Sequence, residues 1–390
     1  MLLLLFSFAS SFRQVCVANP TPPEPPGDGY ELIHIQVVTR HGARSPLDGY
    51  LKQKDRGIWR CDSPDAVSGR VEAVPLVHHR KVRTILDNRF ADYPPNCRLG
   101  ELTIEGMQMH LKLGKAYRKY LVDDLHFLDE TYNPDQIYIR STAYDRTFKS
   151  ALSFIGGLYE SQSVNELIDI TSGPSSNDLF RPSHKTCGDI KNLYQKYVDS
   201  DKFKEFLARS GEILKPVREY LNLTEWTQSS GNKACDWVFT MYCNEKTMSP
   251  DINQTHIDIC SEMLARNLYD LYLQDDETMG IGFSAGMREL LRVLNMSLSG
   301  ESTVKFALHS THDSTVSVFM SLLGNRLDTL PPLASHLAME VYQKNNEKYV
   351  RFVLNGKPLP IKFMNDQIMV KLDDFITNVK PKINYCKEFP

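Results

Sequence analysis

Two hydrophobic periodicities alternate along the chain. The run from Leu32 to Val38 is nearly all apolar and is broken by Gly42 and Pro46, which predicts a buried parallel strand over about 31–39. After the turn signal Asn133-Pro134-Asp135, Gln136 to Arg140 predicts a second short strand, and Thr303 to Leu308 a third. His336–Tyr342 and Tyr349–Leu354 flank Asn345-Asn346 and predict a hairpin. Between these runs the spacing is helical. Met107, Leu111, Tyr117 and Leu121, with Gly114 on the same face, predict a helix from a Thr103 cap to about Tyr120. Further helices are expected from Ser141-Thr142 to about Leu158 and from Thr315 to Leu323.

Residues 160–300 are different: polar, helix-forming and without strand pattern. They suggest a helical cap or insertion, with helices over 189–209, 257–275 and 284–295. Residues 47–98 are irregular and polar, a long excursion over the sheet edge that a Cys61–Cys97 bridge would pin. Residues 19–29 form a Pro/Gly-rich extended lead, and no internal repeat is present.

The chain has 390 residues, 42% hydrophobic, with a formal net charge of −3. It can bury a large core, and no overall basic surface points to nucleic acid or a membrane face. Met1 to Ser11 is almost wholly apolar and ends in small residues through Cys16-Val17-Ala18, which predicts a secretory signal peptide over 1–18, cleaved after about Ala18. No later stretch reaches the ~20 apolar residues of a membrane span. The last residues, Lys387 to Pro390, are not a retention signal. A secreted or lysosomal/vacuolar lumenal destination follows. Of eight cysteines, Cys16 is expected to leave with the leader, so the remaining seven imply three disulfides and one odd thiol. None has zinc-site spacing, so no metal or cofactor is expected. Sequons at Asn222, Asn253 and Asn295 predict glycosylation of a solvent-facing segment.

Chemistry collects at three expected strand ends: Arg40, His41 and Arg44; Arg140; and His312 with Asp313. Each has an ordinary reading alone. Arg40-His41-Gly42-Ala43-Arg44 could be a basic turn, Arg140 a salt-bridge partner, and Asp313 a helix cap. His309, His312 and Asp313 could imitate a metal site. In open α/β sheets, however, ligands bind at the C-terminal strand edge. Three arginines and two histidines there suit a tetrahedral oxyanion. A neutral imidazole can attack phosphorus, and a nearby carboxylic acid can protonate the leaving alkoxide.

The motif Arg40-His41-Gly42-Ala43-Arg44-Ser45-Pro46, with Arg140-Ser141-Thr142 and His312-Asp313, resembles the histidine acid phosphatases, branch 2 of the histidine phosphatase superfamily. Gly100-Glu101-Leu102-Thr103, Gly106, Leu113-Gly114, Pro331 to Ser335 and Glu340 are similar to the family's pattern as well. The likeness spans about 30–155 and 300–356. Within the family, Ile35-Gln36-Val37-Val38 and Ile137 to Thr142 most resemble the lysophosphatidic acid phosphatases. The resemblance implies an α/β fold with a mixed, largely parallel sheet, a core of 19–155 and 300–390, and a helical cap over 156–299. It also implies His41 as nucleophile, Arg40, Arg44, Arg140 and His312 as phosphate ligands, and Asp313 as proton donor. The expected activity is hydrolysis of small phosphate monoesters through a phosphohistidine. Lysophosphatidic acid or inositol phosphates stay open as specialised substrates, and a homodimer stays open too. A phosphoglycerate-mutase-like transferase and a non-catalytic anion-binding glycoprotein are the competing readings.

Overall fold

A computed structural model describes residues 16–27, 29–47, 59–61, 97–160, 167–174, 178–182, 187–273 and 276–383. Most of the 47–98 excursion, the apolar leader up to residue 15 and the C-terminal tail lie outside the described residues.

The first strand, β1 (Glu31–Arg40), is followed by helix α1 (Ile104–Arg118), β2 (Ile137–Ser141) and α2 (Asp145–Leu158). A two-residue strand β3 (Thr171–Ser172) comes next. The helical stretch then carries α3 (Asp189–Asp199), α4 (Asp201–Ile213), α5 (Lys215–Tyr220), α6 (Gln228–Cys243), α7 (Gln254–Tyr272), α8 (Asp276–Ile281) and α9 (Ser284–Leu298). The chain closes with β4 (Phe306–Thr311), α10 (Asp313–Leu322), β5 (His336–Lys344), β6 (Glu347–Leu354), β7 (Lys357–Leu359), β8 (Met369–Lys371) and α11 (Leu372–Ile383). These strands form one mixed sheet in the order β3-β2-β4-β1-β5-β6-β7, with β8 also on β6. The β3-β2-β4-β1 half is parallel, and β5 onward is antiparallel.

Helices cover both faces of the sheet, as a parallel sheet requires. On one face Ile35, Val37 and Leu308 pack with Leu113, Tyr117 and Phe154 of α1 and α2. On the other, Val38, Met339 and Val350 pack with Met287, Phe319 and Phe375 of α9, α10 and α11. A separate apolar cluster, including Trp237, Val238 and Met263, joins α6 to α7.

Several boundaries differ from the sequence expectation for physical reasons. The third strand does not stop at Leu308. It continues through His309-Ser310-Thr311 because each polar side chain finds a buried partner: Gln36, the Thr147 carbonyl and the Thr39 carbonyl. The single helix over 189–209 is two helices, since Ser200 is extended (ψ 143°) and its hydroxyl accepts from Phe203 N to cap α4. The buried stripe of α1 is Ile104, His110, Leu113, Gly114 and Tyr117, whereas Leu111 is exposed. Thr103 does cap this helix, accepting from Gly106 N at 3.1 Å. The hairpin turns where expected, with Asn345 and Asn346 both left-handed at φ 51° and 63°.

The cysteine arithmetic is corrected most. Cys16 is fully buried and disulfide-bonded to Cys243 at the end of α6. Val17 bridges Leu333, whose amide donates to the Cys16 carbonyl at 2.9 Å. Cys16 is therefore tied into the fold, two residues inside the leader expected to end at Ala18. Cys61–Cys97 forms as expected, Cys235 pairs with Cys260, and no cysteine among the described residues is free. The sequon asparagines Asn222, Asn253 and Asn295 are all exposed.

Candidate active site

Register brings the motifs together. β1 and β4 are parallel neighbours with Arg40 opposite Thr311, so His41 and His312 leave the sheet side by side. Their rings stand edge to face with centroids 5.7 Å apart. The turn after β1 is held tightly: His41 N donates to Thr311 O at 3.0 Å, and Ala334 N donates to His41 O at 3.2 Å. Gly42 is obligatory for close approach. A Cβ there would lie 2.3 Å from the Gly106 carbonyl at the start of α1, and a Cβ on Gly106 would lie 2.2 Å from the Ala43 carbonyl.

His41 Nδ1 lies 2.8 Å from its neighbour's carbonyl, Gly42 O. That acceptor fixes the proton on Nδ1 and leaves the Nε2 lone pair available. Burial first, then the charges of Arg146, Arg40, Arg44 and His312, hold the His41 pKa well below its usual value. The imidazole is thus neutral in acid, as a nucleophile must be. His312 Nε2 is 2.9 Å from Thr142 Oγ1, and Arg146 Nη2 lies 3.5 Å from its Nδ1. Burial and Arg146 keep this ring neutral as well. Asp313 opens α10. It pairs with Arg40 Nη2 at 2.9 Å and accepts from Ser314 N at 2.7 Å. Burial pushes its pKa up, but Arg40, Arg44, His312 and the Ser314 amide outweigh burial and leave the carboxyl below the usual aspartate range.

These groups border a cavity of about 320 Å³ lined by His41, Arg44, Arg146, His312 and Asp313. Arg181, Lys233 and Asp236 also line it, together with the apolar Leu47, Leu264, Leu268 and Leu330. Arg40 stands behind the cavity, reaching Asp313 and the Pro331 carbonyl. Arg44 extends to Asp236 and Thr240 of α6. Among the described residues no cluster of three or more His, Cys, Asp or Glu could hold a metal, and His309 Nε2 faces Gln36 Oε1 at 3.0 Å instead.

Arg140 does not line this cavity. In the sheet it is level with His309, two residues short of Arg40's level at Thr311. At ~3.3 Å per residue this leaves it about 7 Å below the edge. Its guanidinium lies 4.0 Å from the buried Asp178 carboxylate and over the Phe180 ring. The cationic position in the cavity belongs to Arg146, in the first turn of α2. Burial, with the charge of Arg44, lowers its pKa to about 10. Its Nε, like that of Arg40, is buried with no hydrogen-bond partner among the described residues. Arg146 is not legible from the strand-end motif because it lies five residues beyond the end of β2, inside the following helix. The signal was there, in a cation within the first turn of the helix that follows, where anions are bound. Asp236 and Lys233 escaped because α6 itself was not anticipated.

A family model described as histidine phosphatase superfamily (branch 2) matches residues 31–355. Lysophosphatidic acid phosphatase type 6 from Bos taurus is 27% identical over 383 residues, covering 94% of this chain and 88% of that protein. Prostatic acid phosphatase from Rattus norvegicus is 24% identical over 380 residues, covering 92% and 88%. Among solved structures, an apo phytase from Hafnia alvei superposes with a TM-score of 0.63 at 15% identity, covering 94% of this chain and all of that one.

Proposed function

This chain belongs to branch 2 of the histidine phosphatase superfamily and is a phosphoric monoester hydrolase; from that premise we propose that it works in acid, with His41 as the nucleophile. His41 Nε2 attacks phosphorus, the P–N bond forms, and the ester P–O bond breaks. Asp313 hands a proton to the departing alkoxide. Water then attacks the phosphohistidine, Asp313 takes its proton, and P–N cleavage returns the neutral imidazole with inorganic phosphate. Arg44, Arg146 and His312 surround the transferred group, and Arg40 holds Asp313. With positive charge supplied this way, the protein's contribution is positioning and electrostatic stabilisation.

The observation that carries this reading is the His41 ring, proton-fixed by Gly42 O and kept neutral within a cluster of arginines. The acid optimum has a second source. Asp313 is held ionised in the free enzyme, so it needs a proton when substrate binds. A monoester below its second pKa of about 6 carries one, and the crowding of two anions favours its transfer to the carboxylate.

The mixed lining favours a monoester with an apolar portion. Leu47, Leu264, Leu268 and Leu330 give the leaving group an apolar wall that a compact polyanion would not use. The signal peptide, a secreted or lysosomal destination and glycans at Asn222, Asn253 and Asn295 belong to the same reading. The disulfides support an oxidising compartment. The decisive assay is p-nitrophenyl phosphate at acid pH with EDTA, followed by lysophosphatidic acid against inositol hexakisphosphate. Turnover insensitive to EDTA, and higher kcat/KM with the lysophospholipid, are expected. No turnover, or turnover restored only by a divalent cation, contradicts the mechanism. Preference for the inositol phosphate contradicts the substrate assignment.

A further inference from the structure

Arg44 carries a feature that phosphate binding alone does not require. Its guanidinium fork is already occupied by a carboxylate. Nη2 donates to Asp236 Oδ1, and Nη1 lies 3.4 Å from Asp236 Oδ2. Nη1 also approaches Thr240 Oγ1 at 3.3 Å and the Ser45 carbonyl at 3.1 Å. Asp236 and Thr240 are four residues apart on α6, so they present one face to the arginine. Arg44 is 6% exposed and Asp236 19%, so the pair is poorly screened by salt. Asp236 also lines the cavity that holds His41, Arg146 and His312. Among the described residues Arg40 and Arg44 each have a carboxylate, while Arg146 has no ion-pair partner.

A carboxylate inside a site for a dianion has two opposed effects. It orients the arginine before substrate arrives. It also competes for the same N–H donors and repels a second anion. We propose that Asp236 is a positioning residue that sets phosphate affinity: it aims Arg44 in the free enzyme and, as a resident anion, weakens the site's hold on product phosphate. This rests on the phosphatase reading above. It assigns to the helical insertion a control over product release that the strand-end motifs do not exert.

The test is Asp236→Asn, which keeps an acceptor for Arg44 and removes the charge. Inorganic phosphate is the probe, as a competitive inhibitor of p-nitrophenyl phosphate hydrolysis and by calorimetric titration at the same acid pH. The expected result is phosphate binding at least threefold tighter than in the wild type. Asp236→Ala removes the charge and the support together, and its kcat should fall at least tenfold below that of Asp236→Asn. A merely structural ion pair predicts the reverse for Asp236→Asn, weaker phosphate binding with a lower melting temperature. Unchanged or weaker binding in a folded Asp236→Asn protein overturns the inference. If that variant does not fold, Asp236→Ser removes the charge while keeping a smaller acceptor and is read the same way. A wild-type protein that neither binds phosphate nor turns over the ester overturns the phosphatase reading itself. A wild type that does both, beside a variant without tightening, overturns only the role of Asp236.

Discussion

At the scale of single residues, two arginines that look alike in sequence have opposite fates. Arg146 lies in the cavity beside His312, and Arg140 lies below the sheet edge against Asp178. Arg146→Ala should lower kcat/KM roughly a hundredfold or more, the scale of losing one donor to a transition-state anion, with little change in melting temperature. Arg140→Met removes the cation 4.0 Å from the buried Asp178 carboxylate and leaves it to Arg181, at a cost of up to about 3 kcal/mol. It should lower the melting temperature while the folded fraction keeps near-normal turnover. Steady-state kinetics with thermal unfolding of both variants checks this, and a catalytic loss in Arg140→Met exceeding that of Arg146→Ala reverses the assignment. Asp313 has its own signature. Asp313→Asn should slow release of an alkyl leaving group far more than release of nitrophenolate, which departs without a proton. Single-turnover measurement of leaving-group release isolates that step. Equal losses with both substrates would remove Asp313 from the acid's role.

At the scale of elements, the central strands and the hairpin were legible, the short strands β3, β7 and β8 were not, and the helices on the sheet only in part. β1, β2 and the β5–β6 hairpin follow the apolar pattern, and shared register then brings Arg40-His41 beside His312-Asp313. β4 was cut short because a period-2 reading treats His309-Ser310-Thr311 as polar, whereas tertiary partners satisfy all three in the core. α6 was illegible for a related reason. Gly231 weakens its pattern, and its start depends on a capping box between Thr227 and Ser230 that lacks the usual acidic residue. Missing α6 meant missing Lys233 and Asp236, so the α6 wall of the site was the part least readable from sequence. The N-terminal segment is tied to the same helix by Cys16–Cys243. If a leader is removed, the cut must therefore fall before Cys16. Terminal sequencing of protein collected from a secretory host should find Cys16 retained and disulfide-bonded, and a mature chain beginning at Asn19 would contradict it. Cys243→Ser should cost about 2–5 kcal/mol of stability.

At the scale of the whole molecule, the proposed working range is acid, whereas burial of neutral histidines makes the core resist acid poorly. Burial holds the pKa of His34 at about 4, of His110 at about 4 and of His309 at about 3, so all three are neutral when folded. Unfolded, each titrates near 6.5. Between these values the unfolded chain binds more protons, so stability falls as pH drops from about 6.5 toward 4. Each histidine contributes a loss of up to about 3 kcal/mol over that window. Melting temperature should decline across it, and His34→Gln, remote from the cavity, should flatten the slope by one proton. A melting temperature that is constant or rises from pH 6.5 to 4 would contradict this. The covalent step remains the centre of the account. The most direct measurement mixes the protein with radiolabelled p-nitrophenyl phosphate at acid pH, quenches in alkali where a phosphohistidine survives, and maps the label by mass spectrometry. Phosphate is expected on His41, absent from His41→Ala and accumulating when Asp313→Asn slows hydrolysis of the intermediate. Label on another residue, or an active protein that never carries phosphate, would contradict it.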